Sequence, residues 1–171
     1  FDDAISGLSV YGNIFFRCAN GKFGAVQMNS GRDNVMDNNL FLDCKQGISG
    51  GWFPQNNVWK MLHEGKTPAD FYQSQQYRDR YPKLSTMLDT PGINHLWRNV
   101  FYRCGRMATN TNNLELMANG VFEQDPGLVN ASLRDFRIRP EARAIQSVGF
   151  RPIPQQAIGL YESPARASWP V

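Results

Sequence analysis

The chain has 171 residues, 42% of them hydrophobic and 19% charged, so it can bury a core and a disordered chain is excluded. Its 18 basic and 15 acidic residues give a formal net charge of +3 and are mixed along the sequence, which argues against a nucleic-acid partner. No apolar run approaches the length of a membrane span, so a membrane-spanning chain is also not expected.

A short pattern recurs three times along the chain. It reads GNIFFRC up to Cys18, NNLFLDC up to Cys44 and RNVFYRC up to Cys104. The first step is 26 residues and the second is 60, which is the same step lengthened by an insertion. A fixed step of this length predicts a repeat architecture with columns of equivalent residues. The columns are Val10, Met36 and Leu96, then Asn13, Asn39 and Asn99, then Phe15, Phe41 and Phe101, and then the three cysteines.

The residue types in the repeat predict the all-β class. Asn, Gly, Phe and Val at strand-like spacing argue against helical repeats, and the Leu periodicity of leucine-rich repeats is missing. A parallel β-solenoid remains, in which each coil stacks its short strands about 4.8 Å from those of the coil before. In that fold the Phe and Cys columns lie inside, and the Asn side chains bond along their column at a turn.

The elements follow one another within a single predicted domain, 1–171. Residues 1–51 are predicted to form coils, and residues 52–92, which contain helix formers, are predicted to form a helical insertion on the outside of the stack. Residues 93–148 are predicted to form the last coils, with a period that fades after Cys104. The Pro-rich residues 149–171 are predicted to be an irregular cap over the end of the stack.

The cysteines and histidines predict no metal site. Three cysteines are an odd number, and they share one column, so each is best explained as a small buried apolar residue. With no CxxC pair and only two His, no zinc template is matched. We therefore expect neither a metal nor a cofactor.

Several segments carry a resemblance to a known group of proteins. SGLSVYGNIFFRC, GRDNVMDNNLFLDC and the closing GFRPIPQQAIGLY and RASWPV resemble the C-terminal part of right-handed parallel β-helix proteins of the pectate-lyase-like superfamily. More narrowly, the chain looks like large secreted bacterial β-helix proteins that include a glycoside hydrolase family with fucosidase and xylanase members. The resemblance covers nearly the whole chain, and it implies a right-handed β-helix with a helical insertion and a Pro-rich cap.

The resemblance also implies a location and a substrate class. It implies an exported protein, secreted, periplasmic or at the cell surface, that acts on a polysaccharide. It implies further coils before Phe1, and the lack of an initiator Met or signal peptide points the same way. In such relatives Asp2 and Asp3 would end a strand on the substrate groove, and Gly31 to Asn34 would form a turn on the next coil.

Four aspartates are the predicted catalytic residues of a glycoside hydrolase: Asp2, Asp3, Asp33 and Asp43. Hydrolysis of a glycosidic bond generally takes two carboxyl groups, about 5 Å or about 6.5–9.5 Å apart, which neighbouring coils can supply. Asp43 stands where the other copies have Arg17 and Arg103, so we expect an ion ladder in which Asp43 stays ionised and serves as nucleophile or base. For every one of these acids the alternative is a structural role in a turn or a salt bridge.

The predicted substrate-binding residues are Arg17, Arg32, Lys45 and Trp52. Arginines and lysines could also support a lyase, in which such a side chain takes a proton beside a uronate carboxylate and Ca²⁺ neutralises that carboxylate. The lyase alternative ranks below the hydrolase because no group of converging acids is visible in the sequence. A non-catalytic β-helix that binds carbohydrate at a surface is the third possibility.

Overall fold

The computed structural model describes residues 1, 3–19, 21–51, 57–66, 74–90 and 92–158. Over these ranges the chain is mostly strand with few, short helices, which confirms the predicted all-β class. None of the described helices is long and apolar enough to cross a membrane. The strands are β1 (Ser9–Tyr11), β2 (Ile14–Phe16), β3 (Val26–Asn29), β4 (Val35–Asp37), β5 (Leu40–Leu42), β6 (Ile48–Gly51), β7 (Asn94–Trp97), β8 (Val100–Tyr102), β9 (Ala108–Thr109), β10 (Leu114–Met117), β11 (Gly120–Phe122), β12 (Leu128–Asn130) and β13 (Asp135–Ile138).

Eleven of these strands form three parallel sheets. The first sheet has the order β1-β4-β7-β10, the second β2-β5-β8-β11 and the third β3-β6-β9. The chain runs through the first, second and third sheet and then starts again, and we call each such passage a rung. Rungs one to three each supply three strands, and rung four supplies β10 and β11. Strands β12 and β13 form a separate antiparallel pair.

The strand register confirms the predicted columns. Met36 pairs with Val10 on one side and with Leu96 on the other. Phe41 pairs in the same way with Phe15 and Phe101, and the ring centroids lie 4.7 and 4.6 Å apart. Stacked rings at the strand spacing show that the repeat in the sequence is a repeat in space.

The asparagine column is a hydrogen-bonded ladder at the corner between the first and second sheets. Each side-chain amide donates to the Oδ1 of the next Asn, and the backbone N–H of the same residue donates to the same oxygen. Side-chain amides also donate to backbone carbonyl groups of the rung before, as Asn99 does to Met36 at 2.9 Å. The Nδ2···Oδ1 distances are 3.0, 3.0 and 2.9 Å along Asn13, Asn39, Asn99 and Asn119.

The fourth rung corrects the prediction that the period fades after Cys104. β10 pairs with β7, and β11 pairs with β8, both parallel and in register. The step to Asn119 is 20 residues, and Val121 and Gln124 stand where the earlier copies have Phe and Cys. Of the Asn, Phe and Cys that the earlier copies share, the fourth rung retains only the asparagine, so this copy is harder to recognise in the sequence.

Two hydrophobic cores lie on opposite sides of the second sheet. The inner core is enclosed by the three parallel sheets, and its fully buried members include Met36, Phe41 and Phe101. The outer core packs Leu40 and Leu42 of β5 against the C-terminal part of the chain. All three residues of β5 are therefore buried, because its two faces point into different cores.

The outer core is covered by the β12–β13 pair, by helix α3 (Arg143–Val148) and by Phe150 and Ile153. The sequence predicts further coils at residues 126–148, but these residues form an antiparallel pair and a helix instead. In the described part of the predicted cap, Phe150 and Ile153 pack on the outside of the second sheet. Residues 159–171, the rest of the predicted cap, lie outside the described residues.

The described parts of the insertion are helical, as predicted. They are helix α1 (Asn57–His63), helix α2 (Gln75–Arg80) and a 3₁₀ helix at Pro82–Thr86. Helix α1 buries Trp59, whose indole N–H donates to the Ser30 carbonyl oxygen at 2.6 Å. This contact fixes α1 to the loop that follows β3.

Arg32 joins the same loop to the end of the insertion. Its guanidinium group donates to the carbonyl oxygens of Met87 and Thr90, the second at 2.8 Å, and to the Thr90 hydroxyl at 3.2 Å. Its Nε lies 2.6 Å from Asp33, and the side chain is only 9% exposed. The sequence predicts a substrate-binding role for Arg32, but a guanidinium group already held by these acceptors serves to anchor the insertion.

Replacement of Arg32 by Ala is expected to loosen the insertion while the parallel sheets stay folded. One hydrogen bond to a charged group contributes about 1.5–3 kcal/mol, so trypsin should cleave after the exposed Lys83 about tenfold faster or more. Timed digestion followed by mass spectrometry measures this rate. Arg78→Ala, on the exposed surface of α2, is the control, and equal cleavage rates in the two variants would contradict the anchoring role.

Candidate functional site

A cleft of about 400 Å³ opens at the corner where the second sheet ends. One wall comes from the corner residues that follow β2, β5 and β8, and the other comes from the β12–β13 pair and the 3₁₀ helix between them. We call it the basic cleft. It is lined by Phe16, Arg17, Leu42, Asp43, Tyr102, Arg103, Leu128, Ala131, Ser132, Arg134 and Phe136.

Asp43 lies between two arginines in this cleft, as the sequence predicts. Arg103 binds it with two parallel hydrogen bonds, Nε to Oδ1 at 2.7 Å and a terminal nitrogen to Oδ2 at 3.0 Å. The Nε of Arg17 lies 3.7 Å from Oδ2 on the other side. The hydrogen bonds to Asp43 raise the pKa of the Arg103 guanidinium above its ordinary value. The predicted ion ladder is therefore present, with Arg103 as the strong partner.

The backbone explains why these three side chains point out of the corner together. Arg17, Asp43 and Arg103 have φ values of 52°, 51° and 51°, in the left-handed region that turns the chain out of a strand. Each arginine then lies over the aromatic ring of the residue before it, Phe16 or Tyr102, at 4.7 Å from the ring centroid. Cation–π contact of this kind holds each guanidinium group close to the cleft wall.

The opposite wall supplies two residues that the sequence did not single out, Ser132 and Arg134. Arg134 ends the 3₁₀ helix Ala131–Leu133 with a φ of 59°. No repeat runs through this segment, and its Asn-Ala-Ser match to a glycosylation acceptor at 130–132 did not assign it to the site. With Arg134, the lining residues that the structure describes carry three guanidinium groups and one carboxylate.

Lys45 lies two residues beyond Asp43 in a neighbouring opening of about 430 Å³. This second opening is lined by Gly21, Lys22, Lys45, Gln46, Gly105 and Arg106. Within the described part of the chain, no ion pair joins Lys22, Lys45 or Arg106 to an acid. The positive charge of the basic cleft therefore continues along the turns between the second and third sheets.

The other predicted acids do not line the basic cleft. Asp3 lies in a turn at φ 46°, beside the Ala4 N–H that donates to the Asn29 carbonyl oxygen. Asp33 pairs with Arg32 at the start of rung two. Asp2 and the predicted sugar-stacking Trp52 lie outside the described residues. The structure thus brings Asp43 and Arg17 together, with Lys45 nearby, and does not bring Asp3 or Asp33 to them.

Two further side-chain pairs lie on the outer face of the first sheet. Asp37 accepts two hydrogen bonds from Arg98, one of them at 2.8 Å. His95 lies 2.6 Å from Glu115 and packs its ring against Trp97. These pairs join adjacent rungs, so they stabilise strand stacking in the way that cross-strand pairs do.

The cysteine column lies beside the ion ladder, with Cys44 and Cys104 buried and Cys18 half-buried. Each thiol lies 3.4–3.6 Å from backbone carbonyl oxygens, and all three cysteines are free thiols. A hydrogen bond with Cys44, followed by burial, raises the pKa of the Cys104 thiol. Cys104 is therefore a neutral thiol at physiological pH, in keeping with a packing role.

The basic cleft is thus the place where predicted residues, open volume and charge coincide. Over the described ranges, no three His, Cys, Asp or Glu side chains form a group that could hold a metal ion. The comparisons with protein-family models, with curated proteins and with solved structures gave no match for this chain.

Proposed function

We propose that the chain is part of a right-handed parallel β-helix protein, exported from a bacterial cell, that binds and processes a polysaccharide in the basic cleft. The proposal of the fold is supported by three parallel sheets that the chain visits in turn, and by the asparagine ladder at one corner. The observation that supports the function is the cleft itself. Among the described residues, its lining carries the guanidinium groups of Arg17, Arg103 and Arg134 and one carboxylate, that of Asp43.

The chemistry of the cleft suits a sugar chain. Guanidinium groups donate several hydrogen bonds in a fixed plane and match hydroxyl and carboxylate oxygens. Asp43 can accept hydrogen bonds from sugar hydroxyl groups while Arg103 keeps it oriented. Phe16, Tyr102 and Phe136 supply the apolar surface on which the faces of sugar rings pack.

As a hydrolase, the protein would use Asp43 as the ionised nucleophile or base. The second carboxyl group has to lie within about 9.5 Å on the other side of the bond. Among the described residues no other carboxylate lines the cleft, so the acid would come from Asp2 or from a preceding coil of a longer chain. Hydrolysis therefore depends on a group outside the described part of the structure.

A lyase is the second candidate, and the excess of guanidinium groups favours it. One arginine could take the proton while the others hold the uronate carboxylate. Ca²⁺ does not fit the described part of this cleft, because it takes six to eight oxygen ligands and the described lining residues offer a single carboxylate that Arg103 already binds. In this chain the arginines alone would have to neutralise the substrate.

Binding to a panel of neutral and acidic polysaccharides tests the proposal. Arg134→Ala should weaken binding about tenfold, the usual effect of one charge-assisted hydrogen bond. Asp43→Asn should abolish release of reducing ends if Asp43 is the nucleophile or base. The control is Arg78→Ala, which removes the same charge from the exposed surface of α2.

The products separate the three possibilities. Hydrolysis yields saturated reducing ends, a lyase yields products with a carbon–carbon double bond that absorbs in the ultraviolet, and a binding protein yields neither. Equal affinity of the parent chain, Arg134→Ala and Arg78→Ala for every polysaccharide would show that the basic cleft is not the binding site.

A further inference from the structure

The second opening, beside the basic cleft, has a different charge pattern from the cleft itself. In the basic cleft, charged neighbours on adjacent rungs have opposite signs, as Asp43 and Arg103 do. The second opening instead brings together Lys22, Lys45 and Arg106, and its described lining carries no acid. Like charges on adjacent strands repel one another, so a bound anion would stabilise this part of the stack.

Close stacking of the turns after β5 and β8 brings Lys45 and Arg106 together. The Gly105 N–H donates to the Cys44 carbonyl oxygen at 3.1 Å. The Gly47 N–H donates to the Arg106 carbonyl oxygen at 2.8 Å, so the two turns run side by side at the strand spacing. A Cβ at Gly105 would lie 2.7 Å from the Lys45 carbonyl oxygen. Glycine at this position therefore keeps the floor of the opening free of a side chain.

Rung one adds the third cation through a longer connection. Strand β3 begins eight residues after Cys18, whereas β6 begins four residues after Cys44. Because β3 and β6 pair in register from their first residues, the longer connection has to project from the stack. It carries Lys22, whose ammonium group lies 5.7 Å from the centroid of the exposed Phe23 ring. This ring offers an apolar surface for a sugar ring beside the cation.

The cations of the second opening suit a tetrahedral oxyanion better than a carboxylate. An ammonium group is a compact point charge with three donors, whereas a planar guanidinium fork matches the two oxygens of a carboxylate. Two of the three cations are lysines, and the three come from three different rungs. The terminal oxygens of a sulfate or phosphate ester point in different directions, so each oxygen can accept from a different cation.

The second opening is close enough to the basic cleft for one sugar chain to reach both. Lys45 follows Asp43 by two residues, so their Cα atoms lie at most about 7 Å apart. The volume of the opening, about 430 Å³, is in the range of small-molecule sites. A chain with one sugar unit at Asp43 can therefore place a substituent of the next unit in the second opening.

We propose that the second opening binds a sulfate or phosphate ester carried by the polysaccharide, on the sugar unit next to the one in the basic cleft. Lys22, Lys45 and Arg106 donate to the terminal oxygens of the ester. The inference rests on the proposed polysaccharide function, and it adds the class of substrate, a chain with tetrahedral oxyanion substituents. The bound ester also offsets the repulsion between Lys45 and Arg106.

Binding to matched polysaccharides tests the substrate class. A galactan, a xylan and a fucan are each prepared in neutral, sulfated, phosphorylated and carboxymethylated forms, with equal charge density in the anionic forms. Isothermal titration calorimetry at one fixed ionic strength gives each affinity, since salt screens exposed charges. We expect an esterified form of at least one backbone to bind about tenfold more tightly than its neutral and carboxymethylated forms. The sulfated and phosphorylated arms identify the ester.

Two variants and a control locate the ester. Lys45→Gln and Arg106→Gln each remove one cation at an exposed position, so the fold should tolerate both. Each should lower the ratio of the affinities for the esterified and neutral forms about threefold or more, since an exposed charge pair contributes less than a buried one. Lys60→Gln removes the same charge from the exposed surface of α1, which is fixed to the loop after β3, and should keep the ratio of the parent chain.

Four results would overturn the inference. Equal affinity for neutral and esterified forms would do so while leaving sugar binding in the basic cleft in place. Carboxymethylated forms that bind as tightly as the esters would show that the opening does not select a tetrahedral oxyanion. A preference that survives in both Lys45→Gln and Arg106→Gln, or that falls equally in Lys60→Gln, would mean that the opening does not hold the ester. If no form of any backbone bound, the proposed polysaccharide function would fail together with the inference.

Discussion

Replacement of Asn99 by Ala is expected to lower the free energy of unfolding by about 3 kcal/mol or more. Asn99 is fully buried and lies in the middle of the ladder. Its Oδ1 accepts from both the backbone and the side chain of Asn39, and its amide donates to Met36 and Asn119. Alanine would leave these buried groups without partners, each at a cost of about 1–3 kcal/mol.

Urea unfolding followed by circular dichroism measures this loss. Asn112→Ala, at an exposed position in the loop before β10, is the control and should change stability by less than about 0.5 kcal/mol. A loss at Asn99 no greater than that at Asn112 would show that the ladder does not stabilise the stack.

Phe41→Ala is expected to cost about 3–5 kcal/mol, the range for removal of a buried aromatic ring. Its ring lies between those of Phe15 and Phe101 and is fully buried. Removal therefore opens a cavity in the middle of the inner core, where three parallel sheets limit how far the surroundings can close in.

Two controls separate the loss of the stack from the loss of any phenylalanine. Phe23→Ala removes an exposed ring and should cost little. Phe41→Leu keeps most of the apolar volume and should cost less than about half of the alanine change. If Phe41→Leu were as destabilising as Phe41→Ala, the stacking of rings, and not the filling of the core, would dominate the stability.

The sequence predicted the parallel pairing because the repeat specifies the strand register. Equivalent residues at a step of 26 occupy equivalent places when strands stack, so the columns of Val10, Asn13 and Phe15 follow from the spacing alone. The repeat also showed that Asp43 carries a negative charge at the position where the other copies carry Arg17 and Arg103. The prediction that Asp43 lies between these two arginines is confirmed.

The sequence predicted less about the fourth rung and the C-terminal segment, where the repeat is less regular. The fourth rung keeps Asn119 but shortens the step and replaces the phenylalanine and cysteine of its columns. Only the strand register in the structure shows that the fourth rung pairs with rung three. The Pro-rich character of the C-terminal segment predicted irregular structure but could not tell which surface Phe150 and Ile153 cover.

Part of the candidate site could be predicted from the repeat in the sequence, and part could not. Arg17, Asp43 and Arg103 follow from the column that they share, and that column is a property of the sequence by itself. Arg134 and Ser132 reach the cleft because the β12–β13 pair folds back over the outer face of the second sheet. Arg32 donates to carbonyl oxygens at the end of the insertion because that segment returns to its side chain, which the sequence pattern does not reveal.

The sequence by itself determined the strand columns, the asparagine ladder and the alternating charges of this protein. These depend on the distance along the chain between equivalent residues, which a repeat keeps constant. Tertiary structure alone decided the second wall of the basic cleft and the contacts of Arg32 with the end of the insertion. Those features depend on contacts between segments that share no pattern, so no periodicity in the sequence could predict them.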